Sequence, residues 1–248
     1  MSMRIKAALI IMMVVIVIAV TSLITNFLFI RQNITDAVDQ DLSLAIDFAD
    51  NLISTKMQLI KANGAIVAER LLKANSKEEM SEIMASENAK FPEFRALSVF
   101  DRGYEVIASY GVPVKTSELT EEYRYAQMAY NGESVIPTTH YDPETDDFIM
   151  HVFVPMTSDT AMAATIPGFT FSDLIRNYRV WQTGFILILD QEGNIIAEQN
   201  DESVLRRLNP ILEAQANPED KETLSRKEAA EQILSTEAGT SSFLNNGM

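Results

Sequence analysis

Cysteine is absent from this 248-residue chain, which removes disulfide frameworks, thiolate nucleophiles and cysteine metal sites together. Histidine occurs only twice, so a zinc site built on imidazole is not expected. The catalytic patterns G-x-S-x-G and H-E-x-x-H are missing, as is a glycine-rich phosphate loop. No catalytic residue, cofactor or metal is therefore expected. Proline is withheld until Pro92, and Gly64 is the only glycine before Gly103. Positive charge is scarce: the formal net charge is −15, which disfavours anionic lipid and nucleic acid as partners.

Charge of either sign is missing from Ala7 to Ile30. As a helix, that run spans about 36 Å, enough to cross a hydrocarbon core of about 30 Å with some tilt. A cleaved signal peptide fits less well, because the run is too long and no small-x-small cleavage site follows. Arg4 and Lys6 precede the run, so the expectation is a cytoplasmic N-terminus, a membrane anchor over 7–30 and an extracytoplasmic remainder over 31–248.

Beyond the span, the lack of proline and glycine reads as continued helix. Apolar residues recur at helical spacing, among them Ala49, Ile53, Met57, Ile60, Val67 and Leu71. One helix is expected from about Ala7 to about Ala74. Ser76-Lys-Glu-Glu79 is a capping box opening a second helix toward Lys90.

After Pro92 the period becomes that of strands. Residues 94–100 and 105–110 read as a hairpin, 120–131 as a helix stopped by Gly132, and 134–139, 148–155 and 161–169 as three further strands. On the middle strand Ile149, His151 and Phe153 share one face and Met150, Val152 and Val154 the other. The fold class is α+β: an antiparallel sheet with helices on its faces. The run HYDPETDD, 140–147, reads as a solvated acidic turn, since the glycine and distal glutamate of a calcium loop are absent.

The stretch FDRGYEVIAS, 100–109, returns as LDQEGNIIAE, 189–198. In each, an apolar run ends in Asp101 or Asp190, a turn with Gly103 or Gly193 follows, and an aliphatic pair and Ala close it. Helical composition from 201 onward is broken at Pro210 and Pro218, and 240–244 could begin another strand. The second unit lacks the closing strands of the first, so a piece of something longer is expected.

A membrane helix running into a stalk, then two units each opened by an Asp-turn hairpin, resembles the double Cache family of extracytoplasmic sensor domains, which are tandem PAS-like folds. FRALSVFDRGYEVIASYG, MHVFVPM, IPGFTFSDLI and WQTGFILILDQEGNIIAEQ are similar to the sensor portions of bacterial membrane-bound histidine kinases. The resemblance implies 1–30 as cytoplasmic tip and span, 31–91 as stalk and second helix, 92–176 as a membrane-distal unit and 177–248 as an incomplete membrane-proximal unit. It implies a small-molecule ligand in the distal unit, a homodimer joined through the stalk, and output to a histidine kinase, or alternatively to a chemoreceptor or diguanylate cyclase module.

Family members that bind amino acids carry Arg-x-Trp, then Tyr-x-Asp, then a later Asp. The matching positions are Tyr123 and Tyr125, His140 and Asp142, and Gly168, so only Asp142 keeps the pattern. The cation for a carboxylate and the second anion for an ammonium group are missing from those positions. The resemblance thus implies a ligand pocket with Tyr123, Tyr125, His140 and Asp142 at its matching positions but without the amino-acid clamp, and His151, on the strand face of Ile149 and Phe153, is a further candidate contact. His151 also reads as a satisfied core histidine, and the tyrosines, Tyr130 included, as a cover for the sheet. A pilin-like surface protein is the reading from another class; the glutamate near the start of its apolar run and the Gly-Phe processing site are both absent.

Overall fold

The computed structural model describes residues 3–117, 122–137, 139–178, 185–190 and 192–235. Helix α1, Met3–Leu71, is 69 residues long, about 100 Å at the α-helical rise. Its early part is one segment long and apolar enough to cross a membrane, with Leu23 and Phe27 about two-thirds exposed. Its later part buries Ala49, Ile53, Ile60, Val67 and Leu71 against the rest of the fold. Each fully buried aliphatic side chain contributes about 1.5–3 kcal/mol relative to exposure, so this stripe fixes the helix on the sheet.

Ser76 caps helix α2, Lys77–Asn88, by accepting from Glu79 N at 3.1 Å. Glu79 reaches back to Asn75 N at 2.7 Å rather than to the cap's own amide. Glu87 is buried and clamps α2 to α1 through Arg70, with Lys90 Nζ 2.7 Å from the same oxygen. Burial opposes ionisation there, but the hydrogen bonds and charges of Lys90 and Arg70 outweigh it and hold the carboxyl below its ordinary range.

The central sheet is antiparallel, with β1 (Ala96–Asp101), β2 (Val106–Tyr110), β3 (His140–Asp142), β4 (Asp147–Pro155) and β5 (Thr160–Pro167) in the order β2-β1-β5-β4-β3. One face packs on α1. Phe100, Phe153, Ala161 and Ala163, on the other, lie under helix α3, Tyr123–Tyr130. Among the described residues of 134–139, Val135 makes a bridge to Phe153, and the edge strand forms after them, at β3. Pro137 has no amide to give to a ladder, which delays the strand.

After helix α4, Thr170–Ile175, the next described strands are the hairpin of β6 (Ile188–Leu189) and β7 (Ile195–Ala197). Helices α5 (Asp201–Leu205), α6 (Pro210–Ala216) and α7 (Lys221–Leu234) follow. The stretch 240–244 lies outside the described residues.

The two hairpins repeat one another atom by atom at the turn. Asp101 Oδ1 accepts from Gly103 N and Glu105 N at 2.8 and 3.0 Å; Asp190 Oδ1 accepts from Glu192 N and Asn194 N at 3.0 and 2.8 Å. Phe100 faces Val106 as Leu189 faces Ile195, and the register shifts just before both pairs. The left-handed position is the third after each Asp, filled by Tyr104 (φ 62°) and by Gly193 (φ 85°). Gly103 is thus one place early to be its counterpart.

The surroundings differ. The first hairpin continues into β5, whereas β6 and β7 form a two-stranded sheet among the described residues. Ile186, Ile188 and Ala197 join the same core as α1 and the inner face of the large sheet. Arg176 forks onto both carboxylate oxygens of Asp201 at 3.0 and 2.7 Å, tying α4 to α5.

A Cβ on Gly64 would stand 2.8 Å from the Val154 Cγ2 methyl, on a fully buried side chain. Gly64→Ala gains about 1 kcal/mol of helix propensity but overpacks the crossing by about 1–3 kcal/mol. We expect net destabilisation in denaturant unfolding, relieved in Gly64→Ala/Val154→Ala; a more stable single variant would contradict the close crossing.

Glu198 is 7% exposed, and burial raises its carboxyl above the ordinary value of 4.5. The stability it contributes is full below that value and is lost as pH rises through the folded one. Glu198→Gln should raise the unfolding midpoint at neutral pH, and the gain should vanish below pH 4.5. A gain independent of pH would show that ionisation is not the cause.

Candidate distal ligand pocket

The sheet face away from α1 carries the candidate site. Register sets His140 opposite Ile149, His151 opposite Thr165, and Thr165 opposite Ala96. Because side chains alternate, these residues share a face with Asp142, which pairs with Asp147 at the end of β3. The His140 and His151 rings meet with centroids 4.8 Å apart. His151 Nδ1 lies 3.2 Å from Thr165 Oγ1, and His140 Nδ1 lies 3.8 Å from Glu122 Oε1.

A cavity of about 240 Å³ opens beside His151 and Thr165. Its polar lining includes Arg95, Lys115, Asp142, His151 and Thr165, and Val112, Pro113 and Ile149 give it apolar walls. Gly111 shapes the rim: its φ is +77° and a Cβ would meet Arg95 O at 2.8 Å, so a side chain here would push the loop off the strand.

Asp142 is the buried anion of the pocket, 3% exposed. It accepts from Glu144 N at 3.0 Å and from the Thr145 hydroxyl at 2.7 Å. Burial pushes its carboxyl up, but Thr145, the Glu144 amide and Lys115 more than offset this and hold it below its ordinary range. The acidic run is therefore not uniformly solvated: Asp142 turns inward while Glu144 stays half-exposed.

The cation comes from a place the family pattern does not mark. Lys115 Nζ stands 3.5 Å from Asp142 Oδ1 and 3.3 Å from Glu144 Oε1. Arg95 pairs with Asp147 close by. No motif announces Lys115, which follows an ordinary Gly-Val-Pro-Val loop; Thr165 was within reach of sequence reasoning through the strand register. Gly168, in contrast, has no room for a second anion, because a Cβ would stand 2.6 Å from the Thr139 methyl and 2.7 Å from the Phe148 carbonyl carbon.

Of the expected site residues, Asp142 and His151 line the cavity; His140 meets the His151 ring but does not itself line it, and the tyrosines are set apart. Tyr123 is 55% exposed, its ring edge against Tyr104. Tyr125 lines a different cavity with Met128, and Tyr130 is buried against Phe100, its hydroxyl donating to Asp101 O. A group of three or more His, Asp or Glu side chains arranged for a metal ion does not occur among the described residues.

Chemically, the pocket offers fixed charges of both signs, a hydroxyl and an imidazole beside apolar walls. That set suits a small molecule carrying a carboxylate, an ammonium group or both.

No protein-family model matches the chain, and no curated protein matches it in sequence. Solved structures do resemble it. The ligand-binding domain of the Pseudomonas fluorescens chemoreceptor CtaA, in complex with L-isoleucine, superposes with a TM-score of 0.60 at 13% identity, over 77% of this chain and 78% of that one. The extracellular domain of mmHK1S-Z2, named as a histidine kinase, gives 0.57 at 11% identity over 79% and 84%. The ligand-binding domain of Mlp24 with asparagine gives 0.53 at 18% identity over 77% and 80%. At such identities the likeness is one of fold. The chain has the α+β fold of these chemoreceptor ligand-binding and histidine-kinase extracellular domains, as the Cache resemblance implied.

Proposed function

We propose that this chain is the ligand-sensing input region of a bacterial transmembrane signalling receptor, with a small ligand bearing a carboxylate or ammonium group in the distal pocket. One observation carries this reading: β4 serves the pocket and the stalk at once. His151 and Ile149 line the pocket, while Met150, Val152 and Val154 belong to the core around α1. A ligand that favours one position of β4 therefore acts on the helix that continues to the apolar segment. It shifts the balance only by its differential affinity, and full switching from 1:99 to 99:1 takes about 5.5 kcal/mol.

In this reading 7–30 span the membrane, the N-terminus is cytoplasmic and 31–248 are extracytoplasmic. The distal unit is 92–176 and the membrane-proximal unit begins near 177. The output is a histidine kinase module or, with equal support from the structural neighbours, a chemoreceptor module. A homodimer forms through the outer face of the stalk, where Leu59 and Ile66 are 49% and 42% exposed and one heptad apart, while Ile60, Gly64 and Val67 face the sheet.

Thermal unfolding of the full chain in detergent, screened against small carboxylates, amines and zwitterions, tests the pocket. A true ligand at 100 times its Kd adds about 2.7 kcal/mol of stability. Lys115→Met, at a third-exposed position, should fold normally and weaken that ligand at least tenfold. A screen without a saturable response, or a ligand indifferent to Lys115→Met, argues against this site.

The absence of cysteine makes the dimer equally testable. Ile66→Cys in native membranes should form an inter-chain disulfide readily, and Lys61→Cys, on the opposite flank, should do so far more slowly. Equal rates at both positions would remove the stalk interface.

A further inference from the structure

A second cavity, of about 380 Å³, lies where the stalk, the distal unit and the second hairpin meet. Met57 reaches it from α1, Met128 from α3, Met150 from β4 and Phe171 from α4, while Ile188 and Ile196 close it from the hairpin. We propose that this cavity is a second binding site, for an uncharged and largely apolar small molecule, separate from the distal pocket.

Three observations lead there. Its volume falls within the range of about 300–1,000 Å³ typical of small-molecule sites, and junctions between units are where such sites concentrate. Three methionines from three elements form its wall, and thioether side chains re-pack around apolar guests of different shapes. Its charged rim groups already hold partners within the protein. Asp190 accepts from Glu192 N, Asn194 N and Asn194 Nδ2 at 3.0, 2.8 and 2.9 Å. Arg124 lies 3.5 Å from Glu192 and over the Tyr125 ring at 5.3 Å. A charged guest would lose hydration here without a dedicated counter-charge, so the chemistry selects a neutral one.

Alternation along β4 keeps the two sites distinct: Met150 lines this cavity, and Ile149 and His151 line the other. The Arg124–Glu192 pair at the rim is mostly exposed on both sides, so parting it to admit a guest is cheap. A guest would touch the stalk, the distal unit and the second hairpin together and fix their mutual position.

Indole, neutral and water-soluble, serves as the probe on the full chain in detergent. Wild type should show a saturable rise in unfolding temperature. Met128→Trp, which fills the cavity from a half-buried position, should need at least tenfold more indole, and Lys115→Met should respond like wild type. Should Met128→Trp fold poorly, Met128→Cys gives a second readout in a chain with no other cysteine: saturating indole should slow its alkylation by a charged maleimide at least tenfold. An equal shift in wild type and Met128→Trp marks partition into detergent and overturns the proposal. So does unchanged alkylation, or loss of the response in Lys115→Met.

Discussion

The crossing of the stalk helix over strand β4 is the contact on which the rest of the structure depends. Gly64 is the one glycine in a 69-residue helix, and it stands where any side chain would strike Val154. A glycine in a helix interior costs about 1 kcal/mol relative to alanine, so its place here reflects the close approach it permits. Above and below it, Ile60, Val67 and Leu71 are fully buried, which leaves the helix little freedom to slide over the sheet.

Given that crossing, the two-residue period of a strand does the rest. A side chain on β4 faces either the stalk or the pocket, and its neighbour faces the other. On the proposed reading, a charge change at Asp142 or Lys115 and a packing change at Val154 are therefore events on two sides of one rigid layer. The buried carboxylate needs its partners to stay ionised, and Lys115, about a third exposed, is the cation among them. A ligand carboxylate would compete with Asp142 and Glu144 for that ammonium group, giving the pocket a specific rearrangement to report. The pocket departs from the amino-acid pattern in that its cation is Lys115 and a second anion at Gly168 is excluded by the backbone of Phe148 and the methyl of Thr139.

Much of the fold was legible because its signals are periodic. The apolar run, the stalk stripe, the Ser76 cap and the alternation on β4 are each set by local spacing, and each stands in the structure where spacing put it. The repeated Asp-turn was legible too, since an aspartate accepting two turn amides is a local device. Elements that depend on partners were harder to read. The edge strand slid from 134–139 to His140–Asp142 because one proline removes one ladder donor. In the candidate site, Asp142 and His151 share a sheet face by register alone, with His140 beside His151 but off the cavity wall. Tyr123 and Tyr125 did not join them, because the rotation of a short helix over a sheet is decided by packing against Phe100 and Phe153. Lys115 lay in a loop with no periodicity, and only tertiary structure brings it to Asp142.

Backbone amide hydrogen exchange, followed with and without a ligand of the distal pocket, tests the central claim most directly. If β4 joins pocket to stalk, binding should alter protection across residues 49–71 of the stalk helix as well as in β3 and β4. Changes confined to the pocket strands and the 111–117 loop, with the stalk untouched, would contradict the account.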